Sequence, residues 1–214
     1  MAKVTLSFDN GPSPDATPGV LDILAARTVQ ASFFVVGRRL DAPEARPLLE
    51  RMRAEGHWIG NHTLSHSTPL GCLEDAAETD REILGAQDRL GEFAHPDKLF
   101  RPFGGGGHLD HRLLNAAAVR RLCDDGYSCV LWNSVPRDWE NPQGWDRPAL
   151  ADCASRPWSL VVLHDIPEAA GARLGPFIAG LVEAGHEIIQ DFPPDCLPIR
   201  RGAIARPLDG IVAR

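Results

Sequence analysis

The 214-residue chain is 43% apolar and 24% charged, which is enough for one sizeable core in a single domain and excludes a disordered chain. A formal net charge of −7 argues against non-specific binding to nucleic acid or to anionic lipid. The odd set of cysteines (Cys72, Cys123, Cys129, Cys153 and Cys196) lacks any CxxC spacing, so they read as reduced and mostly buried rather than as a disulfide or zinc framework.

Met1-Ala2-Lys3 leads into an apolar alternation without the apolar core of a signal peptide, and no run has the length of a membrane span. The expectation is a cytoplasmic protein with neither a membrane nor a nucleic-acid partner. Val4–Phe8 reads as a first strand, and a helix opens at Thr17 with Pro18 in its first turn. Phe33–Val36 is a second strand, Pro47–Glu55 a helix stopped by Gly56, and Trp58–Gly60 a short third strand. The acidic amphipathic pattern over Leu73–Leu90 predicts a long helix. Then come a strand over Lys98–Arg101, a helix over Asp110–Asp124 and a strand over Ser128–Trp132. A strand over Leu160–Leu163, a helix over Arg173–Ala184 and a strand over Glu187–Gln190 complete the series. About seven strands alternating with helices predict an α/β fold. A (β/α) barrel comes first and an open doubly wound sheet second. The main domain is expected over residues 3–191, and 192–214 as a proline-rich tail that packs on it or extends from it.

The polar motifs follow predicted strands, where both architectures build their sites. Asp9 leaves the first strand into the turn Asn10-Gly11-Pro12. It is either a strand-end general base or the head of an Asx-turn. His62 and His66 are four residues apart, a spacing that lets two imidazoles share one cation if the segment is helical or turn-like. Arg101, with its planar fork, precedes Pro102-Phe103 and the run Gly104–Gly107, whose N–H groups can approach an oxyanion. His108 and His111 nearby read as bystanders. Asp138-Trp139 and the strand-end pair His164-Asp165 complete the set. Each motif alone also fits a solvated turn or loop.

In this order and spacing the motifs resemble the polysaccharide deacetylase family, the NodB-homology or family 4 carbohydrate esterase group. Asp9-Asn10-Gly11-Pro12 looks like its FDDGP, His62–His66 like its H(S/T)xxH, and Arg101-Pro102 like the start of its RPPYG. Asp138-Trp139 looks like the end of its DxxDW, and Leu163-His164 lies in its LxH strand. The resemblance covers roughly residues 3–191 and implies a deformed barrel of about seven βα units. It also implies a divalent metal, zinc first, and hydrolysis of a non-peptide C–N amide: N-deacetylation of an acetylated sugar. By that resemblance Asp9 is the base, His164 the acid, and Arg101 and Asp138 their orienting partners. His62, His66 and Asn10 hold the metal, and Phe103, Gly104, Trp139 and Leu163 touch the substrate. The departures are Asn10 for an anionic ligand, which predicts a weak metal site, Val135 for the first Asp of DxxDW, and Phe103-Gly104 for Pro-Tyr. Alternatives are an amidase acting on a small ureide or formamide, or a degenerate carbohydrate-binding protein of the same fold.

Overall fold

The computed structural model describes residues 1–169 and 171–213. The first strand, β1 (Lys3–Asp9), is buried at every position after Lys3, as a strand covered on both faces must be. It pairs in parallel with β6 (Trp158–His164) along its whole length. On its other side lie β7 (Glu187–Ile188), against its first two residues, and β2 (Ser32–Val35), against its last three. The sheet continues in parallel through β3 (Trp58–Asn61), β4 (Leu99–Phe100) and β5 (Ser128–Cys129). After β5 the chain reaches back to β6. Ser134 bridges Val161 in parallel, its N–H bonded to the Leu160 carbonyl and its own carbonyl accepting from Val162. The order β6–β1–β2–β3–β4–β5 is thus a curled sheet whose two ends meet at one bridge: a deformed barrel. The predicted strands over 98–101 and 128–132 shrink to two residues each, although Arg101 N–H still bonds the Asn61 carbonyl and Val130 N–H the Phe100 carbonyl.

The helices α1 (Thr17–Ala26), α2 (Ala45–Ala54), α3 (Ala76–Leu90), α4 (Ala116–Asp124), α5 (Asp146–Ala154) and α6 (Gly171–Glu183) surround the strands. Two start later than predicted, each at a side-chain cap. The Asp75 carboxylate accepts from Ala77 N–H ahead of α3, and the Asn115 carbonyl from Ala118 N–H ahead of α4. Residues 110–114 therefore belong to a loop, in which Asp110 accepts from Arg112 N–H. Helix α5 was not predicted, because Asn141-Pro142 and Pro148 punctuate its surroundings like a loop. It exists because Ala149 and Cys153 bury against the core.

That core joins Val4, Leu6 and Phe8 of β1 to Val20, Leu21 and Leu24 of α1 and to Phe177 and Leu181 of α6. Each such side chain contributes ~1.5–3 kcal/mol by leaving water. The tail is more ordered than its composition implies. β8 (Ile199–Arg200) adds antiparallel to β5, β9 (Ala203–Ile204) folds back on it, and Val212 bridges Leu114. Arg214, the last residue of the predicted tail, lies outside the described residues.

Candidate active site

The C-terminal ends of β1, β3, β4 and β6 converge on a cavity of about 540 Å³ lined by Asp9, Asn10, His62, His66, Phe103 and His164, among others. Asp9 ends β1 and is buried. Burial works to raise its pKa, but Arg101, then His62 and His164, outweigh burial and hold the carboxyl below its ordinary value. Arg101 is wholly buried and lies 3.9 Å from the centre of the Phe34 ring. Only its Nη1 reaches Asp9 Oδ1, at 2.7 Å, and the same nitrogen donates to Ser7 Oγ. Nε and Nη2 donate to the carbonyls of Val130 and Leu131. The guanidinium therefore braces the barrel wall with most of its donors and fixes Asp9 with one, instead of presenting the two-pronged fork expected. Asp9 Oδ2 is left toward the cavity side, 3.7 Å from His62 Nε2.

His62 follows β3. Its Nδ1 lies 2.8 Å from the Arg101 carbonyl, so that nitrogen carries the hydrogen and the Nε2 lone pair faces Asp9. His66 reaches the same place through a turn, not a helix: Thr63 and His66 have φ of 65° and 52°. The two rings lie 5.0 Å apart, and Phe103 stacks on His66 at 4.0 Å. Burial lowers the pKa of both imidazoles, that of His66 to about 3, which keeps them neutral as metal ligands must be. Asn10, at φ 76°, has its Oδ1 buried without a hydrogen-bond partner. A turned-away Asn10 bonded within its own turn does not occur. A buried carbonyl oxygen without a donor, on a residue that lines the same cavity as two imidazoles, suits a divalent cation. Among the described residues no group of three His, Cys, Asp or Glu is placed to hold a metal.

His164 ends β6, in register with Asp9 on the neighbouring strand. Asp138 receives it twice: Oδ1 faces His164 Nδ1 at 2.7 Å and Oδ2 accepts its backbone N–H at 2.8 Å. Burial works to lower the imidazole pKa, but the Asp138 hydrogen bond and charge, with Asp9, raise it above the ordinary value. Adjacent strand ends of the cavity therefore carry a carboxyl whose pKa is held down and an imidazole whose pKa is pushed up, the directions that suit a general base and a general acid.

Trp139 packs edge-on against His164 at 4.7 Å, and Gly104 also lines the cavity. A Cβ on Gly104 would come within 2.7 Å of Leu113 Cδ2 and 2.9 Å of the His108 carbonyl oxygen, so the groove side chain absent there could return only with a shift of the loop backbone. Leu163 is the one expected substrate contact that is misplaced. It is buried in the main core, and Val162 lines the cavity instead. Strand side chains alternate, so Val162, two residues before His164, shares its face. His108 and His111 do not line the cavity.

Four features were not read from the sequence: Trp132, Ile166 and Glu168 on the cavity wall, and a clamp at Asp165. Asp165 Oδ2 accepts from Thr17 Oγ1 at 2.6 Å, and Thr17 Oγ1 accepts from Ser13 N–H. A Cβ on Gly11 would overlap the Asp165 carboxylate, so only glycine fits where the Asn10 turn crosses it. The clamp ties that turn to the end of β6. The pair His164-Asp165 was visible in the sequence; its partner 148 residues earlier was not.

Residues 2–121 match the family model described as polysaccharide deacetylase. The chain is 36% identical over 168 residues to a chitooligosaccharide deacetylase of Sinorhizobium fredii, covering 76% of this chain and 72% of that one. It is 35% identical over 165 residues to a peptidoglycan-N-acetylglucosamine deacetylase of Bacillus cereus, covering 76% of this chain and 72% of that one. Among solved structures, a family 4 acetyl xylan esterase from Clostridium thermocellum in complex with a cobalt ion superposes with a TM-score of 0.69. That pair shares 25% identity and covers 88% of this chain and 87% of that one. With a family model matching more than half of its length and relatives above 30% identity, this chain belongs to the polysaccharide deacetylase family.

Proposed function

We propose that the chain is a metal-dependent hydrolase that removes the N-acetyl group from an amino sugar or a short oligosaccharide. The observation that carries this reading is the pair of buried dyads, Asp9–Arg101 and His164–Asp138, on adjacent strand ends of one cavity. His62, His66 and the Asn10 carbonyl would hold a divalent cation, zinc in the first instance. A bound cation supplies Lewis-acid polarisation of the acetyl carbonyl and of the attacking water. Asp9 takes the proton from that water, held deprotonated by Arg101. Backbone N–H groups between Phe103 and Gly105 face the oxyanion. His164, oriented by Asp138, protonates the leaving amine, and Trp139 forms the wall beside it. Membership of the family and relatives that deacetylate chitooligosaccharide and peptidoglycan support the substrate class.

The test is acetate release from chitooligosaccharides and other N-acetylated sugars, with the protein stripped of metal and then given zinc or cobalt. Release that depends on added metal is the expected result. No release from any acetylated sugar under any metal would overturn the reading in favour of a carbohydrate-binding protein of the same fold.

A further inference from the structure

One charged group on the cavity wall has no part in the dyads. Glu168 follows β6 by four residues, lines the cavity and is exposed. It forms no ion pair among the described residues. The two arginines nearest the glycine loop are both engaged: Arg137 bonds Glu140 at 2.8 Å, and Arg112 pairs with Asp110. Neither lines the cavity. Apart from the imidazoles, then, the wall carries no cationic side chain among the described residues, and it holds a carboxylate that no described group neutralises. The other walls are Phe103, Trp132, Val135, Trp139, Val162 and Ile166. Trp132 is held in place by donating Nε1–H to the Gly107 carbonyl at 2.8 Å. Aromatic rings and a carboxylate lining one cavity can each attract an alkylammonium, the rings through their quadrupole and the carboxylate through its charge. They offer nothing to a second anion.

We infer that Glu168 forms an ammonium subsite, so that the cavity selects N-acyl amines bearing a further protonated amine over neutral or anionic ones. This deepens the reading given above and rests on it. In sugar terms the preferred substrate is a partly deacetylated amino-sugar oligomer, whose free amine sits at Glu168 while a neighbouring acetamide sits at Asp9 and His164. Hydrolysis itself releases a primary amine, protonated on leaving by His164, so the subsite also retains product. A muramic-type sugar, with its lactyl carboxylate, meets an unpaired anion and is disfavoured.

Two disaccharides of one skeleton test this: neutral di-N-acetylchitobiose and its mono-N-acetyl counterpart, cationic in slightly acidic buffer. The wild-type metal-loaded protein should favour the cationic sugar in kcat/KM by about fivefold, the upper range for one exposed charge pair. The preference should shrink as salt is raised. Glu168→Gln should bring the ratio to about one. Glu187→Gln makes the same charge change at the start of β7, the opposite end of the barrel, and should keep the ratio. Calorimetric binding of fully deacetylated chitobiose against the diacetyl form gives a readout that does not need turnover. Hydrolysis of both sugars at equal efficiency would overturn the subsite and leave the deacetylase reading standing. So would a preference that survives Glu168→Gln. Charge-selective binding that Glu168→Gln abolishes, with no hydrolysis of either sugar, would overturn the deacetylase reading and keep the subsite.

Discussion

The barrel has a cavity at each end, and the two are nearly equal in size: about 540 Å³ at the C-terminal strand ends and about 530 Å³ at the N-terminal ends. Each holds a buried histidine with a carboxylate nearby, His62 with Asp9 above and His57 with Glu55 below, at 3.7 and 3.6 Å. What separates them is which backbone group meets the ring. His62 Nδ1 faces a carbonyl, that of Arg101, and must donate, so its Nε2 presents a lone pair. His57 Nδ1 accepts the Ala31 N–H, so its Nε2 carries the hydrogen and has no lone pair to give. Above, a second imidazole lies 5.0 Å from the His62 ring, Asn10 with its unpartnered oxygen lines the same cavity, and Arg101 fixes the carboxylate. Below, Glu55 is taken by Arg51 on its other oxygen, and no second imidazole lines the cavity. A histidine's role is therefore set by its backbone neighbour, and residue type alone does not distinguish the two ends.

The largest effect should come from removing the brace. Arg101→Met leaves Asp9 buried without its cation and frees the Val130 and Leu131 carbonyls. Loss of ~3–5 kcal/mol in chemical unfolding is expected, together with loss of activity. A variant as stable as wild type would show that the upper end does not depend on this pair.

Asn10→Asp sharpens the contrast further by adding a charge to the proposed set of His62, His66 and residue 10. Metal affinity, measured by calorimetric titration at one pH, should tighten about tenfold or more if the recovered interaction is worth about 1.4 kcal/mol. Equal affinities would show that the amide oxygen already suffices.

Asp165 links the upper end to pH. Burial raises its carboxyl from the ordinary 3.8 to about 7. Between those values the folded chain holds a proton that the unfolded chain has lost, so this group's contribution to stability falls as pH rises from about 4 to 7. In Asp165→Asn that dependence disappears. The stability difference between wild type and variant, taken from unfolding curves across this range, should shift toward the variant with rising pH. A constant difference would refute the assignment.

At the lower end the smallest effect on the site is expected. His57→Phe keeps a ring against Phe33 and leaves the Ala31 N–H without its acceptor. It should cost ~1–3 kcal/mol of stability while metal content and kcat/KM stay as in wild type. Loss of metal in this variant would erase the distinction drawn between the two histidines.

Much of this contrast was already present in the order of the residues. Alternating apolar runs and helical periods predicted parallel strands with helices between them, because burial on two faces demands continuous apolar strands and burial on one face demands a helical stripe. The strand-end positions of Asp9, Arg101 and His164, the HxxxH pair and the exchange of a carboxylate for Asn10 were legible for the same reason: each lies within a few residues of its strand. Helix α5 and the β8–β9 hairpin were not, since their local sequence reads as turn and they gain stability only from distant partners in α6 and β5. Leu163 was assigned to the wrong face, although counting back by two from His164 finds Val162. The tautomer of His62 depends on a carbonyl 39 residues away, the Asp165 clamp on a hydroxyl 148 residues away, and the exposed Glu168 on arginines already paired elsewhere. Sequence determined which groups stand at the strand ends. Only the closed barrel decided which way each one faces and what it meets, because hydrogen bonds and charge act over a few ångströms of space and take no account of separation along the chain.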